Sequence, residues 1–334
     1  MARRVTLREQ ALVFRELATL VAAGLTLLEC LDELEKRPLS EGFRRFLKAA
    51  KAKVSAGRKL SEALREQGPV FSELTTALIE AGEEGGRLEE MLRDVATYLE
   101  RELELRRMLA RETFYPKILL CACLLIPLAA NSIVAGVTKG ATAGVMTALR
   151  GLTMYALVGG LPVLAVYLVY QHLAGTRTGR DLFDGAKLQL PLVGGIVQRL
   201  ALSKFARALS ALYAAGVHYP KAIELSADAC GNRHLAALFR AAIPYVERGG
   251  TLSEVLLQSR LRNSLLVRFL QTGEQSGEID AMLAKAADHF GDEAETQVRR
   301  LAVTIVPIGV VLAGVVVCVI LAQMYLGYAH SLVP

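Results

Sequence analysis

The sequence predicts an all-α, polytopic membrane protein with two homologous helical domains, and three observations carry that prediction. The stretch Gly82-Glu83-Glu84-Gly85-Gly86-Arg87-Leu88-Glu89-Glu90-Met91-Leu92 returns as Gly273-Glu274-Gln275-Ser276-Gly277-Glu278-Ile279-Asp280-Ala281-Met282-Leu283. Apolar residues recur at helical spacing through the charged parts of the chain. Uncharged runs of membrane-crossing length follow each copy of the repeated stretch.

The duplication extends well beyond that stretch. Leu17-Ala-Thr-Leu-Val-Ala-Ala-Gly24 answers to Leu209-Ser-Ala-Leu-Tyr-Ala-Ala-Gly216, and Leu60-Ser-Glu-Ala-Leu64 to Leu252-Ser-Glu-Val-Leu256, both at an offset of 192. The glycine-rich stretch and the following Pro116 and Pro307 match at 191, so one residue is lost around Pro69 and Phe71. Unrelated segments agree at roughly one position in fifteen. Here five of eight, four of five and five of eleven positions agree, in one order. The period is far longer than the roughly 20 to 50 residues of a stacking repeat, so this is a doubled domain and not a solenoid.

Element by element, the first copy reads as helices. From Thr6 to Gly24, Val13, Leu17, Leu20 and Val21 mark one buried face. Helices follow at Thr26 to Arg37, Ser40 to Ala56 and Lys59 to Gln67, separated by Pro38 and Gly57 and ended by Gly68-Pro69. Ser72, with Phe71 on its outer side, is an N-cap that opens a fifth helix ending at Gly82. A sixth starts near Arg87 with an apolar stripe of Leu88, Leu92, Val95, Leu99 and Leu103. In both copies the paired glycines are expected to stop one helix and release the next. In the second copy Pro220 suits a first helical turn, Asn232 a cap and Pro244 a kink or break. Pro191-Leu-Val-Gly-Gly195 reads as an apolar turn at the head of that copy.

Three stretches have membrane length. Ile118 to Thr138 carries no charge over 21 residues, and Gly151 to Thr176 none over 26. The third runs from Leu301, with its span at Val303 to Leu326, and no charge follows it. Each can cross about 30 Å of hydrocarbon. Lys and Arg crowd one side: Arg101, Arg106, Arg107, Arg111 and Lys117 before the first span, Arg177, Arg180 and Lys187 after the second, and Arg299 and Arg300 before the third. The connection between the first two spans has only Lys139 and Arg150. Both helical domains therefore face the cytoplasm and the C-terminus lies outside.

Composition agrees with this division. Hydrophobic residues make up 53% and charged residues 22%, which requires segregation into membrane and water-facing parts. The excess of 39 Lys and Arg over 33 Asp and Glu suits an anionic membrane surface. No basic stripe interleaved with aromatics supports nucleic-acid binding. Cys30, Cys121, Cys123, Cys230 and Cys318 lack metal-type pairing and read as small buried hydrophobes. The first residues carry no apolar signal core.

No catalytic chemistry emerges from the residues. A phosphate cradle ending in Gly-Lys-Ser/Thr, an HExxH pair and a GxSxG elbow are all missing from the sequence. No cofactor, metal or catalytic residue is therefore expected. The candidate site is the pair of turns Gly82, Glu83, Gly86 and Gly273, Glu274, Gly277. Glu83 and Glu274 either meet a basic patch on a partner or stabilise the helix that follows them through its dipole. A weaker reading gathers Glu80, Glu83, Glu84, Glu89 and Glu90 round a divalent cation. Inside the spans the notable polar residues are Asn131 and Gln323, and Pro127, Pro162 and Pro307 could bend helices. A transporter or channel, the alternative function, would place ionisable groups or broken helices at membrane depth.

Taken in order, Leu-x-x-Leu-x-x-x-Gly, Gly-x-x-Leu-Ser-Glu-x-Leu, Gly-Glu-x-x-Gly-x-Leu/Ile and a helix reaching Tyr115-Pro116 at a span resemble the type II secretion system F family over about residues 8 to 327. That family includes the F protein of type II secretion and the inner-membrane platform protein of type IV pili. The resemblance implies two cytoplasmic six-helix bundles in a platform of the bacterial inner membrane. It also implies a hexameric secretion ATPase beneath, pilins or pseudopilins and other inner-membrane components as partners, and a small homo-oligomer. Many members carry a further N-terminal segment associated with docking, whereas here the first repeat begins almost at Met1. The second copy has Gln275 and Ser276 where the first has Glu84 and Gly85, so the two domains need not bind one partner. The expected division is a bundle over 1–115, a span over 116–138, a periplasmic loop over 139–150, a span over 151–175, a bundle over 176–300, a span over 301–327 and a periplasmic tail over 328–334.

Overall fold

The computed structural model describes residues 5–112, 114–155, 157, 194–259, 261 and 264–332, and among these every regular element is helical. The first copy contains α1 (Leu7–Ala22), α2 (Leu27–Glu35), α3 (Glu41–Ser55), α4 (Leu60–Glu66), a short 3-10 turn (Gly68–Val70), α5 (Glu73–Glu84) and α6 (Leu88–Glu112). Then come α7 (Phe114–Lys139) and α8 (Ala141–Tyr155). The second copy contains α9 (Gly194–Ala214), α10 (Tyr219–Ala229), α11 (Arg233–Arg240), α12 (Ile243–Val246), α13 (Leu252–Leu257), α14 (Leu265–Ser276) and the long α15 (Ile279–Leu332).

Caps set most of these boundaries. Thr6 with Glu9, Thr26 with Glu29 and Thr251 with Glu254 form reciprocal capping boxes, each satisfying two otherwise orphaned backbone donors. The Ser72 hydroxyl accepts the Thr75 N–H at 3.1 Å, and Asn232 Oδ1 accepts that of Leu235 at 3.1 Å. Pro220 stands in the first turn of α10. Pro244 opens α12, so the counterpart of α3 is broken in two in the second copy.

The first-copy core is organised by aromatic rings. Phe46 and Phe71 lie 4.6 Å apart, and Phe14 and Phe43 meet Phe71 edge-on at 6.1 and 6.0 Å. In the second copy Phe205 and Phe239 stack at 3.6 Å. The stripe read on α6 is buried at Leu92, Val95 and Leu99.

The chain divides into two compact units. One comprises residues 1–107 with 184–294, and the other 108–183 with 295–334. The helical bundles of both copies, up to residues 107 and 294, thus belong to a single unit, and one hydrophobic cluster includes residues of both. Small residues explain the close approach: Ala77 and Ala81 of α5 and Ala211 of α9 pack against that cluster.

In the other unit α7 and α8 form a hairpin. Residues 141–150, expected as a loop, are helical, and Gly140 at φ +94° makes the turn. Ala, Met and Leu favour helix here, and glycines allow the two backbones to approach. A Cβ on Gly144 would stand 2.9 Å from Gly136 Cα and 2.8 Å from the Ser132 carbonyl oxygen. The expected span 151–175 lies outside the described residues at 156 and from 158 on, as do Pro162 and residues 191–193 of the apolar turn. The stretch expected as the third span falls within α15, which continues through Pro307. Among the described residues no helix is long and apolar enough to cross a membrane. Cys30 and Cys230 are buried as expected, but Cys121 and Cys318 are exposed on the apolar runs.

Candidate functional site

The repeated Gly-Glu-x-x-Gly turn resolves into three separate jobs. Its first glycine does not end a helix, as expected from the sequence, but sits inside α5 or α14. There it permits close approach: a Cβ on Gly82 would lie 2.7 Å from Met91 Cγ and 3.2 Å from Leu88 Cα. One on Gly273 would lie 2.9 Å from Ile279 Cα. The last glycine makes the turn, with Gly86 at φ +67° and Gly277 at φ +78°, in the left-handed region that a β-carbon disfavours.

The glutamate between them caps a helix, but not the one that follows it. Glu83 accepts the backbone N–H of Leu60 and, at 3.2 Å, that of Ser61, whose hydroxyl also donates to it at 2.6 Å. Glu274 accepts the N–H groups of Leu252 at 3.0 Å and Ser253 at 3.3 Å. In each copy the carboxylate thus closes the N-terminus of the Leu-Ser-Glu-x-Leu helix, α4 or α13. The reason is local at α4, whose N-cap residue is Lys59 and offers no acceptor. Backbone N–H groups there find their anion on α5. The two strongest repeat motifs are therefore two halves of one contact.

The copies differ in what surrounds the cap. Lys59 pairs with Glu84 at 2.8 Å in the first. In the second, Tyr219 stands beside Glu274, and burial followed by that carboxylate's charge holds its phenol above the ordinary range.

The acids near the first turn do not converge on a cation. Glu80 pairs with Arg65, Glu84 with Lys59 and Glu89 with Arg93, each at 2.7 or 2.8 Å. Among the described residues no group of three or more His, Cys, Asp or Glu side chains could hold a metal ion.

Sequence reading missed the seam between the copies. Arg87 Nη2 donates to the Ala215 carbonyl at 3.2 Å, at the C-terminal end of α9, where the helix dipole favours a cation. Lys204 Nζ lies 2.8 Å from Glu102, whose side chain is only 10% exposed. A cleft of about 340 Å³ lies alongside, lined by Asp94, Tyr98, Arg101, Arg207, Ser210 and Asp280 among others. Burial, then the charge of Glu90, raises the Asp94 carboxyl above its ordinary value. Burial, then Glu102, pushes the Tyr98 phenol up to about 12. The available signal was divergence: Arg87 answers to Glu278, and Lys204 to Leu12.

Comparison with known proteins meets this geometry at the repeat itself. The family profile described as "Type II secretion system (T2SS), protein F" matches twice, at residues 13–136 and 205–327, so its two matches reproduce the internal offsets of 192 and 191. The chain belongs to that family. It is 32% identical to the type IV pilus assembly protein PilC of Thermus thermophilus, over 96% of this chain and 82% of that protein. It is 29% identical to the PilC of Myxococcus xanthus, over 94% and 78%. The type II secretion system protein F of Vibrio cholerae is likewise 29% identical, over 96% and 82%. Membership of this type II secretion protein F family gives the doubled bundle its context: each match begins within the first helix of a copy, takes in the rest of its helices and runs on into an apolar helix.

Proposed function

We propose that this chain is the inner-membrane platform protein of a type IV pilus or type II secretion machine. In this reading it is not an enzyme; it joins a cytoplasmic hexameric secretion ATPase to pilins or pseudopilins that leave the membrane for a filament. The observation that carries the reading is the family match falling once on each copy, over relatives named for pilus assembly and for type II secretion. The unit holding both copies lies in the cytoplasm, three spans cross the bacterial inner membrane, and the C-terminus is periplasmic. The charge-free runs and the distribution of Lys and Arg support that placement.

The Gly-Glu turns serve as structural fasteners in this proposal. Their carboxylates are engaged by backbone N–H groups of their own bundle, which supports a positioning role over a docking one. Because both copies share one compact unit, motion from the ATPase passes to them together, as one body within a small homo-oligomer.

Gentle extraction of the tagged full-length chain from its own membrane, with crosslinking, tests the reading. Recovery of a secretion-type ATPase with type IV pilins is the expected result for a pilus platform, and with pseudopilins for a secretion platform. Recovery of neither overturns it.

A further inference from the structure

The cleft between α6, α9 and the start of α15 holds two carboxylates without partners. α6 and α9 run antiparallel across the seam, since Arg87 meets Ala215 at one end and Lys204 meets Glu102 at the other. Between those contacts Asp94 comes level with about Ser210, whose hydroxyl donates to the Asp280 carbonyl at 2.8 Å. Both aspartates thus line one end of the cleft. Arg101 is seven residues beyond Asp94, about 10 Å along the helix. With Arg207 it stands towards the other end.

The nearby cations are already engaged. Arg93 pairs with Glu89 at 2.7 Å, Arg101 with Glu104 at 3.3 Å and Arg207 with Asp288 at 3.2 Å, while Arg87 donates to the Ala215 carbonyl. Asp94 is half-buried, and among the described residues neither its carboxylate nor that of Asp280 has a hydrogen bond or an ion pair. Asp280 has the N-terminus of α15 to favour its charge, but Asp94 lies inside α6 and has no such help. Tyr98 lines the same cleft and is almost wholly buried, and among the described residues its hydroxyl also lacks a hydrogen-bond partner. A desolvated carboxylate and a desolvated hydroxyl left unpaired both cost stability. One incoming cation with N–H donors meets both deficits.

Shape and charge select the kind of cation. Among the described residues no three ligands gather for a metal ion. The two arginines towards the far end disfavour a second positive charge, which counts against a polyamine. Ala211, Ala214, Ala281 and Ala284 supply apolar walls that suit a methylene stem. The cleft is open to solvent, so a side chain can enter while its backbone stays outside. We propose that this cleft receives one lysine or arginine side chain of a partner protein, with its cationic head on Asp94 and Asp280 and the Tyr98 hydroxyl accepting an N–H. The site lies within one compact unit and does not rest on the platform reading.

Isothermal titration of the detergent-solubilised full-length chain tests this with three probes: acetyl-Ala-Arg-Ala-amide, the same peptide with citrulline for arginine, and spermidine. Citrulline keeps the shape of arginine and loses its charge. Wild type is expected to bind the arginine peptide about five- to twentyfold more tightly than the citrulline peptide, the range of a half-buried charge pair. Asp94→Asn is expected to lose that preference while keeping its melting transition, which separates lost binding from lost folding. Tyr98→Phe should weaken the arginine peptide about two- to fivefold and still prefer it to citrulline. Equal binding of the two peptides by wild type, no binding of either, or a preference that survives Asp94→Asn overturns the inference. Tighter binding of spermidine than of the arginine peptide overturns it in favour of a free polyamine.

Discussion

Glu83 and Ser61 meet across 22 residues of sequence, the carboxylate accepting both the backbone N–H of Ser61 at 3.2 Å and its hydroxyl at 2.6 Å. Glu274 and Ser253 repeat the backbone contact in the second copy. Replacing Glu83 with Ala leaves the α4 N-terminus without its anion, and Lys59 has no acceptor to replace it. The expected loss is about 1–2 kcal/mol, the ordinary cost of a lost N-cap. Glu83→Gln is expected to lose less, since its amide oxygen still accepts. Thermal unfolding of the detergent-solubilised chain measures both; an unchanged transition in Glu83→Ala would refute the cap.

The two glycines of each turn should respond differently. At Gly86, φ is +67° and open space surrounds the added carbon, so Gly86→Ala meets only backbone strain of about 1–2 kcal/mol. Asn, which tolerates that region, is expected to cost less. At Gly82 even Ala collides with Met91 and approaches the Leu88 backbone. Gly82→Ala together with Met91→Ala should then recover much of the stability lost by Gly82→Ala alone, a coupling that a denaturation double-mutant cycle reads. Bulky residues at Gly86 and Gly277 together are expected to abolish filament assembly while membrane insertion persists, measured by filament counts and membrane fractionation.

Charge exchange probes the seam. Lys204→Glu would face the nearly buried Glu102 and is expected to destabilise the unit holding both copies, and adding Glu102→Lys should restore part of the loss. Arg106 also contacts Glu102, so restoration will be incomplete. No recovery in the double variant would show that the pair contributes nothing to the seam.

Asp94 predicts a pH dependence of definite sign. Its carboxyl binds its proton more tightly folded than unfolded, chiefly because burial penalises the charge. Below the ordinary value of 3.8 the group is protonated in both states and imposes no penalty. As pH rises from there through the raised folded value, stability is lost. Asp94→Asn should therefore melt above wild type at neutral pH and converge with it in acid. A constant difference across the range would contradict this. Arg101, Arg207 and Asp280 line the same cleft, so the profile should be measured at fixed ionic strength.

Much of this protein is legible in the residue order, because the deciding physics is local. Ser72, Asn232 and Pro220 act on the turns that hold them, and Gly86 and Gly277 are needed by their own dihedral angles. Duplication and charge-free length are likewise properties of the string, and they determined the all-helical, doubled character of the chain. The family resemblance stood on the same motifs.

What the string left open was decided by contacts between distant segments. Whether Glu83 faced α6, a partner or α4 depended on which N-terminus lay within reach, and that is α4, whose Lys59 offers no acceptor. Gly82 looked like a helix stop, but its role comes from the Met91 side chain against it. The two copies looked like separate domains, yet Arg87 and Lys204, where the repeat diverges, join them into one unit. Within the expected loop at 139–150, residues 141–150 are helical and Gly140 makes the turn, and Gly136 and Gly144 let α8 lie against α7. Local propensity determined which segments are helices; the pairing of orphaned N–H groups, buried charges and close-packed glycines across the chain decided how those helices meet.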